Sequence, residues 1–461
     1  MNYREFLRRK TQQNVYAGFD PLWVPDCMFE FQRILTEWSI RKGRSVLIED
    51  CGLGKTLQEL VFAENCVRKT NRPALILTPL AVAAQTQREA EKFGIEAVVS
   101  RDGTPGKNIT ITNYESLHKF DSKDFECVVA DEISCLKAFD GKRRKFVTRF
   151  MSKTPYRLGG TATAAPNDYI ELGTISEAIG ELTQSEMLGM FFLSSDKKRH
   201  SLFKEGDFWN RAKYFFRAHA EKAFWQWVCF WARAIRTPAD MGIQDDRFIL
   251  PELHEHLHVI PTTFRFPGEL FVRVAATLQE QRVERKRSLK QRCEKVVELT
   301  AHNEPVIVWC QYNDEGDLLE KMIPGAVQVA GCNSDEEKAE RLNGFATGQF
   351  RVLVTKPKIG AWGMNYQHCG HQTFFPSHSF EQVYQCIRRS LRFGRVGPVR
   401  CDIVATEGEA GVMANLQKKQ RKADEMFTAL VAEMHSALRV ESPDRHVKEA
   451  ELPKWLLSSK S

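Results

Sequence analysis

Three stretches of this chain carry side chains that could act together on phosphate. In the first, the apolar run Val46-Leu47-Ile48 leads through Glu49-Asp50-Cys51 into Gly52-Leu53-Gly54-Lys55-Thr56, and the helix-forming Leu57-Gln58-Glu59-Leu60 follows. Strand, glycine-bearing turn and helix make a cradle: glycines let backbone N–H groups come close to phosphate oxygens. The positive end of the following helix adds to the attraction. Lys55 would reach the outer phosphates, and Thr56 would hold Mg²⁺ through its hydroxyl. The strict pattern has a glycine where Glu49 stands. Read alone, the stretch therefore fits an ordinary strand-to-helix turn with a surface lysine equally well.

The second stretch is Cys127-Val128-Val129-Ala130-Asp131-Glu132, a buried-strand pattern that delivers two carboxylates at its C-terminal end. In an open α/β sheet that end is where ligands bind. Asp131 would bind Mg²⁺ across from Thr56, and Glu132 would orient or deprotonate a water for attack on a phosphoanhydride. That reaction is mostly positioning and charge neutralisation. The third stretch runs from Gln382 to Arg395, where helical spacing puts Gln385, Arg389 and Arg392 on one face. They would meet a γ-phosphate held elsewhere, or form a basic surface helix. Upstream, Gln32 lies in an expected helix from Phe29 through Trp38. It is either a surface residue or an amide that grips adenine with its donor and acceptor.

These residues need strands to carry them. Ala74–Leu77, Ala97–Val99 and Ile109–Thr112 are short apolar or β-branched runs separated by helical segments, which implies a doubly wound parallel sheet. A second such pattern begins at Pro305–Cys310 and continues through Ala326–Ala330 and Arg351–Thr355. Between them the helix from Ser334 carries a capping box, with Glu337 three residues on. Residues from about 170 to 250 are helical in pattern and rich in aromatics, including Phe208, Trp209, Phe224, Trp225, Trp227 and Trp231, with interleaved bases. Tryptophan and phenylalanine at helical spacing usually pack, although such a surface could also stack bases. His254, His256 and His258 alternate on one strand face, but no fourth ligand is apparent and a metal there is not expected. Arg282–Lys295 reads as a basic connector or brace.

The 461 residues are too many for one ordinary core. The net charge of +7 suits a polyanionic partner. The 12 cysteines form no C-x-x-C pair, and they read as buried thiols of a reducing compartment. The first residues lack a signal-peptide pattern, and no segment is apolar for long enough to span a membrane.

Taken in order, these motifs resemble a superfamily 2 helicase or translocase, nearest its Swi/Snf-type branch and the shorter bacteriophage and prophage relatives. The resemblance covers residues 29–400. Gln32 matches the adenine-reading glutamine, and Gly52-Leu53-Gly54-Lys55-Thr56 matches motif I. Thr78-Pro79-Leu80 and Thr112-Asn113-Tyr114-Glu115 resemble nucleic-acid-contacting motifs. Asp131-Glu132 matches motif II, with Ile133-Ser134 in place of the usual Ala-His. Gly160-Thr161-Ala162-Thr163 with Pro166-Asn167 resembles motif III, and Gly360–Asn365, including Gly363, resembles motif V. Gln385, Arg389 and Arg392 match motif VI.

The resemblance implies a P-loop NTPase of two RecA-like parallel-sheet lobes, residues 1–168 and 301–410. A helical insertion and connector, 169–300, would separate them, and a helical tail, 411–461, would follow. It implies an ATP- and Mg²⁺-dependent hydrolase that moves on or unwinds DNA in phage or prophage replication or recombination, in the cytoplasm, without a membrane. DNA would be held by its phosphates, and replication or recombination proteins would be partners. The residues implied at the nucleotide are Gln32, Gly52, Leu53, Gly54, Lys55, Thr56, Gly363 and Gln385. Lys55, Glu132, Arg389 and Arg392 would carry catalysis, and Thr56 and Asp131 the metal. A nucleotide-switched DNA remodeller or loader, or an RNA helicase, are the alternatives.

Overall fold

The computed structural model describes residues 16–79, 82–137, 141–163, 169–194, 214–217, 220–261, 278–361, 364–377 and 379–440. Apolar strands joined by helices fold back on themselves as parallel sheets, because a parallel strand must be covered on both faces. The chain first lays down β1 (Arg44–Glu49), β2 (Ala74–Thr78), β3 (Ala97–Val99), β4 (Ile109–Asn113), β5 (Cys127–Asp131) and β6 (Tyr156–Thr161). After them β7 (Phe192–Ser194) and β8 (Tyr214–Phe216) make a small antiparallel pair. The next strand, β9 (Ala232–Ile235), returns to the first sheet, whose order is β3-β4-β2-β5-β6-β1-β9, parallel throughout. Leu75, Ile76, Leu77, Val128, Val129 and Ala130 are fully buried at its centre.

A second parallel sheet holds β10 (Leu253–Ile260), β11 (Val306–Trp309), β12 (Ala326–Val329), β13 (Val352–Thr355), β14 (His371–Phe374) and β15 (Val399–Thr406), in the order β10-β15-β14-β11-β13-β12. The helix Asp335–Ala346 starts at the expected capping box. There the Glu337 N–H donates to Ser334 Oγ at 3.1 Å, and the Ser334 N–H donates to Glu337 Oε2 at 3.0 Å.

The stretch expected to be an insertion is not purely helical. Strand β9 pairs with β1, Val46 opposite Ala232, and β10 runs along β15 for its whole length. The aromatic-rich helix Ala220–Trp231 is core: Phe224, Trp225, Trp227 and Trp231 are buried against the first sheet, with Phe191 and Phe224 ring centroids 5.4 Å apart. Phe208, Trp209 and Gly363 lie outside the described residues. The helix Ala410–Val440 touches both lobes. Leu416 sits in the second lobe's core, and Met426, Phe427, Leu430 and Met434 sit in the first lobe's.

Two arginines of the basic run are structural. Arg292 is buried against Glu315 at 2.9 Å, and Arg285 against Glu409 at 2.6 Å. The alternating histidines go to different surroundings. His258 hydrogen-bonds Asp402 of the adjacent strand at 2.8 Å, whereas His254 and His256 are exposed. Among the described residues no group of three or more His, Cys, Asp or Glu could hold a metal by itself. None of the described helices is long and apolar enough to cross a membrane.

Candidate active site

The register of the first sheet decides what meets at its C-terminal edge. Strand β6 lies between β1 and β5, with Thr161 opposite Ile48 and Gly160 opposite Asp131. The turn after β1, the Asp131-Glu132 pair after β5 and the hydroxyls after β6 are therefore neighbours. Gly52 and Gly54 of the turn have φ of 93° and 83°, in the left-handed region that favours glycine. A Cβ on Gly54 would also lie 2.4 Å from Gln32 Nε2. Gln32 is not a surface residue: its Nε2 donates to the Leu53 carbonyl at 2.7 Å, and its Oε1 accepts from the Phe29 N–H at 3.1 Å. The amide thus braces the turn from outside, while the Leu53 side chain is buried in the core. Lys55 opens the helix Lys55–Thr70, and its ammonium donates to the Glu49 and Asp50 carbonyls at 2.6 and 3.2 Å.

Three carboxylates, Glu49, Glu59 and Asp131, feel the charge of Lys55, and Glu132 follows Asp131. Glu49 is fully buried, accepts from Gln58 Nε2 at 2.7 Å, and is pushed up to about 7, chiefly by burial, with Lys55 opposing. Glu59, one helical turn after Lys55, is raised well above the ordinary carboxylate range by burial and then by Asp131. Its Oε1 and that of Glu49 have no hydrogen-bond partner among the described residues. Gly160 leaves room for Glu59, since a Cβ there would lie 2.0 Å from Glu59 Oε1. Asp131 is raised to about 7 by burial and then by Glu132. Glu132 itself has φ of 54°, an uncommon backbone for a residue with a side chain. Its Oε1 accepts from Thr161 Oγ1 at 2.6 Å and Ser134 Oγ at 2.7 Å, so two hydroxyls aim it.

The elevated Glu49 has a consequence for stability. Unfolded, it ionises near the ordinary 4.5; folded, near 7. Between those values the folded chain holds the extra proton, so stability falls as pH rises from 4.5 to 7, and the cost is complete above 7. Glu49→Gln keeps an acceptor for Gln58 and removes the charge. Denaturant melts should show the variant more stable than wild type at pH 8, by on the order of 3 kcal/mol. The difference should nearly vanish by pH 4.5. An unchanged gap at both pH values would exclude this origin.

The second lobe contributes the helix Phe380–Ser390, started by the Ser379 side chain. Gln385 and Arg389 share a face of this helix, as the spacing predicts, but the helix ends at Ser390, so Arg392 reaches the turn after β1 from the segment that follows rather than from the helix face. Gln385 Oε1 accepts from Arg389 Nη2 at 2.7 Å and from Cys51 Sγ at 3.5 Å. Arg389 also donates to the Gln385 and Met364 carbonyls at 3.1 and 3.3 Å. Arg392 donates to Met364 O at 3.5 Å, and its Nε stands 3.7 Å from where a Cβ on Gly52 would be. Burial and then Arg389 bring Arg392 down to about 10, still charged at neutral pH.

Several residues here were passed over in the sequence. Arg388 Nη2 pairs with Asp50 Oδ2 at 2.6 Å and donates to the Cys51 carbonyl at 3.1 Å. The Tyr384 hydroxyl donates to Asp50 Oδ1 at 2.5 Å. Glu381 Oε1 accepts from Ser134 Oγ and Thr163 Oγ1, each at 3.2 Å. The signal was available, since Glu381, Tyr384 and Arg388 repeat at i, i+3 and i+7 and form one helical stripe. What sequence lacked was the partner Asp50, 338 positions from Arg388.

Thr56 and Asp131 suit a shared divalent cation. Asp131 is a half-buried carboxylate with a raised proton affinity, and Thr56 begins the helix within the same cradle. Two protein ligands are enough where Mg²⁺ keeps waters and phosphate oxygens.

Compared with known proteins, the chain matches no family model and no curated protein. Among solved structures it is similar to S. cerevisiae Dbp5 in a complex bound to RNA and ADP BeF3. The TM-score is 0.54 at 12% identity, over 87% of this chain and 93% of that one. At that identity the likeness concerns fold. The chain folds as two RecA-like α/β lobes with parallel sheets.

Proposed function

We propose that this chain is a nucleic-acid-dependent ATP hydrolase of the helicase and translocase kind, with DNA as its track. The observation that carries the reading is the meeting, at one sheet edge, of Lys55, the Asp131-Glu132 pair and the arginine-bearing helix of the second lobe. The turn Gly52–Thr56 would take the phosphates, with Gln32 and Gln385 at its two sides and Gly363 completing the nucleotide contacts. Thr56 and Asp131 would hold Mg²⁺, which neutralises phosphate charge when bound. Glu132, held by Thr161, orients the attacking water. Arg389 and Arg392 meet charge that develops on the transferred group. The net charge of +7 supports a track gripped through its phosphates.

In this reading lobe 1 is residues 1–168 together with β9, lobe 2 is 301–410 together with β10, the remainder of 169–300 joins them, and 411–461 forms a tail. The setting is the cytoplasm of a bacterial or phage-infected cell, in replication or recombination alongside proteins of that machinery.

The test is ATP turnover with single-stranded DNA, duplex DNA and RNA of graded length. A translocase turns over faster on longer DNA until the track no longer limits it. Turnover independent of length would favour a nucleotide-switched remodeller or loader, and stimulation by RNA alone would reassign the track.

A further inference from the structure

A serine hydroxyl has one proton to donate. Ser134 Oγ stands within hydrogen-bond distance of two carboxylates, Glu132 Oε1 at 2.7 Å in its own lobe and Glu381 Oε1 at 3.2 Å in the other. It cannot serve both at once. Glu132 Oε1 has a second donor in Thr161 Oγ1 at 2.6 Å, and Glu381 Oε1 has one in Thr163 Oγ1 at 3.2 Å. Ser134 is almost fully buried, so water does not stand in for the missing proton. Glu381 occupies the first turn of the helix that bears Arg389 and is therefore carried wherever that helix goes.

We propose that Glu381 is a positioning residue for hydrolysis that acts through Ser134 on Glu132. The proposal rests on the reading of Glu132 as the water-orienting carboxylate. When the second lobe brings Glu381 up, it competes for the Ser134 proton. Ser134 turns toward it, and Glu132 Oε1 keeps only the Thr161 hydrogen bond. The lone pair set free on Glu132 then receives the hydrogen of the attacking water. When Glu381 withdraws, Ser134 turns back and occupies that lone pair. Ser134 is, on this account, a one-proton selector that lets the water-orienting group sense the opposite lobe.

The experiment is a kinetic cycle on the full chain. Glu381→Gln preserves shape and removes the charge that competes for the proton. It should lower kcat about tenfold, the worth of one hydrogen bond to a charged group. KM for ATP should stay within about twofold, as for an interaction made mainly in the transition state. In a Ser134→Ala background the same change should cost less than about twofold, because the selector is gone. In a Thr163→Val background, where Ser134 remains, it should still cost about tenfold.

A rise in KM with kcat unchanged would overturn the proposal. So would a full tenfold cost in Ser134→Ala, or its disappearance in Thr163→Val. A folded Ser134→Ala too slow to measure would also overturn it, because removing the selector leaves that lone pair free; if the variant fails to fold, the Thr163→Val arm and the kcat-against-KM split decide. Absence of ATP turnover in the wild-type chain would instead refute the hydrolase reading, so the two failures are distinguishable.

Discussion

Lys55→Met will bring ATP turnover below detection and weaken nucleotide binding. The ammonium is the positive charge surrounded by Glu49, Glu59 and Asp131, and it opposes the burial of each. Its hydrogen bonds in the structure go to the Glu49 and Asp50 carbonyls, neutral acceptors that a phosphate oxygen outcompetes because it carries full negative charge. Methionine keeps the length of the stem and removes the charge. Phosphate brought into the cradle would then face buried carboxylates with no cation between them. The measurement is steady-state ATP hydrolysis together with binding of a fluorescent ATP analogue. A variant that hydrolyses at near wild-type rate would dismiss the cradle and return Lys55 to an ordinary turn. A thermal melt guards against the trivial alternative, since an unfolded variant loses its transition as well as its turnover.

Arg392→Ala should lower turnover by about 10³–10⁵, the range of an arginine that meets transition-state charge. ATP affinity should stay within about tenfold. The three arginines of this segment are not equivalent. Arg388 is already paired with Asp50, and Arg389 is held by Gln385 and Met364. Arg392 makes one long bond to a carbonyl and stands beside Gly52 of the turn. It is thus the arginine with the most to gain from a phosphate. Glu132→Gln should also block hydrolysis, but by misplacing the water while the lobes still close on ATP. Energy transfer between dyes on the two lobes, with ATP and DNA present, should report closure in Glu132→Gln and less of it in Arg392→Ala. Equal closure in both would remove Arg392 from the cleft.

The parallel sheets, the turn after β1 and the carboxylates after β5 were legible because each is written in consecutive residues. A buried parallel strand is a continuous apolar run, and a phosphate cradle is a few residues of strand, glycine and helix start. The face that joins Gln385 and Arg389 was legible for a similar reason, since helical periodicity puts residues four apart together, whereas Arg392 lies past the helix end at Ser390 and is placed by the chain that follows.

Other features depended on residues far apart in the chain. The aromatic pattern of Phe224–Trp231 was ambiguous between core and stacking surface until the first sheet was seen to cover it. Gln32 read alone as a surface residue or an adenine grip, and the fold shows it bracing Leu53. Strand β9, in a stretch expected to be helical, was chosen by a sheet edge that local propensity cannot sense, whereas the alternation at His254–His258 did mark strand β10.

The sequence by itself determined which residues could act on phosphate and the kind of sheet that would carry them. Only the tertiary structure decided that Asp50 meets Arg388 and Tyr384, and that Ser134 lies between Glu132 and Glu381. The physical reason is range. Propensity and periodicity act over one or two helical turns, whereas an ion pair or a shared proton depends on where two lobes dock. That docking is set by the summed packing of surfaces which no short window of sequence contains.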